Sequence, residues 1–240
     1  MPDTFVNEQP VPASPQPIKL EAADFLLLKD TGALAGYCRS ELIEGQLWGA
    51  AAEDGESGAK CPIKLRIEDY ERLSEAGAFE RYRKTELIDG IVYAMNPHHR
   101  PHGFARDELF SRLREALKAI GSPLHAAAEQ SVSLPPHGEP QPDIILTTEP
   151  RGPGAIPGSS VALIVEIATS NPTWDLGEML RVYAAASIGE YWVLDLKKGR
   201  ISQMWSPQGE AYARRREVKL GARIEAVTIE GLAAETAGIN

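Results

Sequence analysis

Glu166 interrupts Val-Ala-Leu-Ile-Val-Glu-Ile-Ala, residues 161–168, a run whose other side chains are all apolar. A strand of that composition is buried on both faces of a sheet. An unpaired carboxylate in such a place costs several kcal/mol, so it is paired, protonated or bound to a metal. Asp143 opens the preceding apolar run after Pro140-Gln141-Pro142, and the prolines hold that entry extended. Two neighbouring strands can therefore present both carboxylates at one edge. Hard divalent ions such as Mg²⁺ or Mn²⁺ take carboxylate oxygens and keep several waters. A strand-end Asp alone is more often a turn or cap. The pair in this order, with an apolar strand around the second member, points to a metal site.

Other chemistry-bearing residues carry weaker signals. His98, His99 and His102 form His-His-x-x-x-His after Pro97, without the His-Glu-x-x-His arrangement of helical zinc sites. Trp48, Trp174, Trp192 and Trp205 are scattered, which suits core or rim positions better than a base-stacking platform. Tyr183 and Tyr191 read as packing residues. No phosphate-binding loop, nucleophile elbow or dinucleotide fingerprint is present.

The elements that must hold these residues follow from periodicity. Residues 1–17 carry five prolines and little apolar material, so they read as a disordered tail. A repeat follows at a spacing of 45: the segment from Ile18 and the segment from Ile63 share Ile-Lys-Leu, an Asp six residues after the Ile, a Gly-Ala pair, a Tyr and Glu-Leu-Ile-x-Gly. Each copy reads as a short helix (22–28, 67–76), a Gly turn and a strand or hairpin. Residues 18–62 are then a first copy plus linker, and 63–240 the main domain. A helix is expected over 103–120, with Leu109, Leu113, Leu117 and Ile120 on one face and Gly121 ending it. Strands are expected at 127–134, 143–147, 161–168 and 191–196, a helix at 175–186, and hairpin strands at 201–205 and 211–218. Interleaved helices and buried strands imply an α/β fold with a mixed sheet covered by helices.

With 240 residues, 43% hydrophobic and 25% charged, the chain has the composition of a globular enzyme. No apolar run approaches the roughly 18 to 20 residues that span a bilayer, and no export signal is visible, so a cytoplasmic location with reduced Cys38 and Cys61 is expected. The net charge of −9 argues against binding nucleic acid through overall basicity. Its spread is uneven, since residues 1–62 hold 4 Lys/Arg against 10 Asp/Glu. Between 197 and 219, Lys197, Lys198, Arg200, Arg214, Arg215, Arg216 and Lys219 face only Glu210 and Glu217. That stretch reads first as a solvated hairpin and second as a phosphate-facing surface.

The strings GEPQPDIIL, LIVEIATSNPTWDLGEMLRVYAAASIGEYWVLDL and YRKTELIDGIVYAMNPHHRPHG resemble the Uma-two family of restriction endonucleases, a branch of the PD-(D/E)XK nuclease superfamily. The likeness runs over about residues 63–235. It implies a restriction-endonuclease-like fold and Mg²⁺-dependent hydrolysis of DNA. Asp143 matches the motif Asp and Glu166 the motif acid, Glu86 the acidic position of Glu-Leu-Ile-Asp-Gly, and His102 the His opening the next helix. The chain departs from the pattern at the assisting Lys. The superfamily position is Ala168 and the position used within the family is Met179. Arg181 is rotated about 200° from position 179 on a regular helix and is a poor replacement; Lys197 and Lys198 are more distant candidates. A degenerate nuclease domain that binds nucleic acid or protein without turnover is the rival reading, and hydrolysis of another phosphoester a third. A homodimer would supply the two sites that cutting both strands requires.

Overall fold

The structure is a computed structural model describing residues 15–51, 59–95, 100–169 and 172–239. The chain divides into two compact units, one formed by Met1–Ile63, Glu71–Glu86 and Val92–Pro97, the other by Lys64–Tyr70, Leu87–Ile91 and His98–Asn240.

The N-terminal elements are β1 (Gln16–Pro17), α1 (Ala22–Asp30), β2 (Tyr37–Ile43), β3 (Gln46–Ala51), β4 (Cys61–Pro62), α2 (Ile67–Glu75), β5 (Thr85–Ile88) and β6 (Ile91–Ala94). They form two three-stranded sheets, ordered β2-β3-β4 and β1-β6-β5. α1 and α2 begin and end 45 residues apart, as the sequence repeat does. The Asp shared by the copies is a capping residue, its carboxylate accepting the backbone N–H three residues upstream: Asp24 from Glu21 at 2.7 Å, Asp69 from Arg66 at 3.2 Å. The shared glycines are also explained. Gly45 and Gly90 have φ of +84° and +80°, and a Cβ there would lie 2.5 Å from Lys19 Cβ and 2.4 Å from Lys64 Cβ. Only glycine fits both the dihedral and the space.

Two boundaries differ from the sequence reading. The tail was expected to reach residue 17, but Gln16 and Pro17 pair antiparallel with Ala94 and Tyr93 of β6. Proline is tolerated because β1 is an edge strand, and the neighbouring Ile18 gains burial. The grouping into two units follows other lines than a break between 62 and 63, with Lys64–Tyr70 and Leu87–Ile91 in the larger unit. Cys38 and Cys61 are exposed thiols, not a bridge.

The larger unit contains α3 (Arg100–Ala119), β7 (His125–Ala128), β8 (Val132–Ser133), β9 (Ile144–Thr147), β10 (Ile156–Pro157), β11 (Val161–Ala168), α4 (Leu180–Ala185), β12 (Glu190–Asp195), β13 (Arg200–Gln208), β14 (Ala211–Lys219), β15 (Arg223–Glu225) and β16 (Ala233–Glu235). Its six-stranded sheet has the order β14-β13-β12-β11-β9-β7. The β11–β12 pair is parallel and the others antiparallel, so the sheet is mixed and the fold α/β. On one face α3 lays down Ala105, Leu109, Leu113 and Leu117 against Ile144, Leu146, Leu163, Val165 and Ile167. Ile120 leaves this stripe and is 38% exposed, since α3 stops at Ala119 and Gly121, at φ +63°, turns the chain.

Two expected elements are broken in the structure. The strand foreseen over 127–134 is two, β7 and β8, separated by Glu129 at φ +50°. The helix foreseen over 175–186 starts as a π-helical turn, Asp175–Met179, with the Met179 N–H donating to Trp174 O at 3.1 Å. Glu190, fully buried at the start of β12, accepts from Trp192 Nε1 (2.6 Å), Gln203 Nε2 (2.5 Å), Val227 N (2.9 Å), Thr228 N (2.8 Å) and Thr228 Oγ1 (2.8 Å). It ties the segment after β15 to the sheet.

Candidate active site

Register brings the two carboxylates of the apolar strands together. Val165 on β11 faces Ile144 on β9, so Asp143, one residue before β9, falls beside Glu166. The Asp143 N–H donates to Glu166 Oε2 at 3.3 Å, and the Ile167 N–H donates to Asp143 Oδ2 at 2.8 Å. Alternation along β11 turns Val165 and Ile167 toward α3 and Glu166 toward the opposite face. There the Tyr183 hydroxyl of α4 donates to Glu166 Oε1 at 2.8 Å. From the first turns of α3, His102 Nε2 lies 3.0 Å from Asp143 Oδ2. A carboxylate only accepts, so this nitrogen carries the hydrogen. Asp143 and His102 are each 4% exposed.

Three of the four residues singled out from the sequence, Asp143, Glu166 and His102, therefore meet in one place. Glu86 belongs to the other unit, where it is buried and its Oε1 pairs with Lys84 Nζ at 2.8 Å. His98 and His99 lie outside the described residues. Among the described residues no group of three or more His, Cys, Asp or Glu gathers as a metal cage. The donor set of the centre is two carboxylates, both oriented by hydrogen bonds from neighbours. That suits a hard ion that keeps most of its waters.

Carboxylates lie close to Tyr191. Tyr191 packs edge-on against Tyr183 with centroids 5.0 Å apart, and its hydroxyl donates to Asp175 O at 3.0 Å, holding the π-helical turn. Burial, followed by the charges of Asp175, Glu166, Tyr212 and Asp143, pushes the Tyr191 phenol well above its ordinary range, so it stays a donor.

The assisting cation is absent where the pattern places it. Met179 is 2% exposed and Ala168 is 6% exposed, both part of the packed interior. Arg181 binds Asp89 at 2.6 Å, Glu178 at 2.7 Å and Glu210 at 2.9 Å. Lys197 and Lys198 sit on the exposed turn after β12, with Lys198 Nζ 3.8 Å from Asp195 Oδ2. A cation that sequence reading passed over is Arg106, one turn after His102 on α3. It pairs with Glu129 and, at 2.9 Å, with Asp107. Burial works against its charge, but Asp107, Glu129 and Asp143 outweigh it and hold the guanidinium protonated. The spacing of four from His102 was the available signal. Tyr183 was also missed as a site residue, because its partner lies on a strand seventeen residues upstream.

No curated protein matches the chain. A crystal structure of a "putative nuclease belonging to DUF820 from Anabaena variabilis ATCC 29413" aligns at a TM-score of 0.47 with 15% identity, over 62% of this chain and 87% of the other. The sequence profile of the Uma2 family, whose description reads "Putative restriction endonuclease", matches residues 67–237. That span takes in α3, the six-stranded sheet and the Asp143–Glu166 pair, and the chain belongs to the Uma2 family.

Proposed function

We propose that the chain is a divalent-metal-dependent endonuclease that hydrolyses phosphodiester bonds of DNA. The observation that carries this reading is the convergence of Asp143 and Glu166 where β9 begins beside β11, linked through the Asp143 N–H at 3.3 Å. Membership of a restriction endonuclease family supports it. Asp143 and Glu166 would hold Mg²⁺ or Mn²⁺. When bound, such an ion supplies Lewis acidity that activates water and offsets charge developing on the phosphate. His102 and the Ile167 N–H fix Asp143, while Tyr183 fixes Glu166, so that neither carboxylate needs to reorganise as the ion arrives. Arg106 adds a fixed positive charge beside Asp143. Glu86 would be an auxiliary acid, as the family resemblance implies.

Incubation of the pure protein with supercoiled plasmid and Mg²⁺ or Mn²⁺ tests the proposal, alongside calorimetric titration of Mn²⁺. Asp143→Asn and Glu166→Ala are each expected to lose at least roughly 100-fold in cleavage and to lose Mn²⁺ binding. Cleavage that persists unchanged in Glu166→Ala would trace to a contaminant.

The buried Met179 favours a second reading, a nuclease domain that binds without turnover. Here Mn²⁺ and DNA still bind, but only Met179→Lys cleaves. Robust turnover by the unaltered chain removes this reading.

A further inference from the structure

The pairing of the N-terminal strands is reciprocal. The leader of the first copy pairs with the hairpin of the second, Gln16 opposite Ala94 and Pro17 opposite Tyr93. The leader of the second copy pairs with the hairpin of the first, Cys61 opposite Gly49 and Pro62 opposite Trp48. Adding 45 to Gln16, Pro17, Trp48 and Gly49 gives Cys61, Pro62, Tyr93 and Ala94, so the two pairings are the same pairing with the copies interchanged. The next hydrogen bonds keep the relation: Ile18 N–H to Val92 O at 2.9 Å and Ile63 N–H to Leu47 O at 3.0 Å. Each leader then returns to the turn of its own copy, Leu20 N–H to Gly45 O at 3.0 Å and Leu65 N–H to Gly90 O at 2.9 Å. Both leaders read Pro-Ile-Lys-Leu, at 17–20 and 62–65, and both isoleucines are 7% exposed.

We propose that the two copies are a duplicated module closed on itself by strand exchange, and that the outer edge of β6 is a docking edge for a Pro-Ile-Lys-Leu leader, filled here by the chain's own first copy. A hairpin with one edge unfilled is a template for another strand. With a single copy, the leader that completes this edge in the observed pattern would come from a second chain. The duplication supplies it within one polypeptide, and so takes this edge out of use as a dimer contact. Identical leader sequences mean that the same edge accepts a leader from a second copy of the chain once its own is withdrawn.

Cross-linking decides whether the exchange closes within one chain. In a full-length background carrying Cys38→Ser and Cys61→Ser, Gln16→Cys and Ala94→Cys place thiols at directly opposed positions, whose spacing of about 4.5–5.5 Å suits a disulfide. Oxidation is expected to give a single-chain product with shifted mobility, restored by reductant and independent of protein concentration. A disulfide-linked dimer overturns closure within the chain, and no cross-link at either concentration overturns the pairing. A second variant tests the docking edge: Ile18→Pro removes the N–H donated to Val92. A labelled peptide with the sequence of residues 15–21 should bind this variant at least tenfold more tightly than it binds the unaltered chain. Equal binding overturns the docking edge. Neither measurement uses cleavage, so both stand whether or not the chain is a nuclease.

Discussion

Each carboxylate of the centre is held from a different direction: Asp143 by a helix side chain and a strand amide, Glu166 by a tyrosine and the Asp143 amide. Groups that orient metal ligands contribute roughly 10- to 100-fold in affinity or activity when removed. Tyr183→Phe deletes only the hydroxyl in a fully buried ring, so it should lower Mn²⁺ affinity by that range while leaving the thermal midpoint within a few degrees. His102→Ala should act similarly through Asp143. Mn²⁺ titrations that match the unaltered protein in both variants would mean these residues only pack. The sequence made Asp143 and Glu166 conspicuous because each borders or breaks an apolar run. It could not show that Tyr183 serves Glu166, because that depends on how α4 crosses the face of the sheet.

Among the elements, the join between β12 and the C-terminal segment rests on one side chain. Glu190→Ala leaves the buried indole N–H of Trp192 without its acceptor, takes one of two acceptors from buried Gln203 Nε2, and releases the part-buried amide bonds of Val227 and Thr228; a buried orphan costs about 1–3 kcal/mol. Urea denaturation should show a loss of about 3 kcal/mol or more, and a change under about 1 kcal/mol would refute the assignment. A second join is the Lys64–Asp89–Arg181 chain of ion pairs, at 2.7 and 2.6 Å. Burial alone would raise the Asp89 pKa, but Lys64 and Arg181 outweigh it and hold the carboxyl below its ordinary value. A depressed carboxylate contributes stability that is complete above its unfolded pKa of about 3.9 and is lost as pH falls through the lower folded value. Asp89→Asn should therefore be less stable than the parent near neutrality, with the two stability curves converging in strong acid; parallel curves would argue against the mechanism. Strand β11 was readable to the residue, because an eight-residue apolar run with Pro157 and Gly158 before it has one solution. The π-helical turn was not, since Asp-Leu-Gly-Glu-Met carries the periodicity of an ordinary helix and Tyr191, which holds the turn, lies sixteen residues beyond Asp175.

For the whole molecule, the mixed sheet covered by helices followed from alternating helix and strand signals, and the 45-residue repeat was visible at fixed offsets. The exchange of leaders between the copies was invisible, because β1 and β6 meet across more than seventy residues and a two-residue strand has no period. Net charge is −9, so any DNA held must be met by local basic groups. Arg214 and Arg215 lie on the exposed strand β14, level with β11 across the sheet through the pairs Ile164–Tyr191, Tyr191–Met204 and Met204–Arg215. If they contact phosphates, replacing both with Ala should weaken DNA binding and reduce the slope of log affinity against log salt by about 2. An unchanged slope would leave the stretch as a solvated hairpin. No helix among the described residues is long and apolar enough to cross a membrane.

Strand β14 also closes one side of the six-stranded sheet with three consecutive arginines, Arg214 to Arg216. Were two molecules to add this margin to each other, rows of guanidinium groups would be forced side by side, a repulsion that dilute buffer leaves intact and concentrated salt erases. Concentrated stocks should therefore stay dispersed at low ionic strength, with any clouding beginning as salt is added.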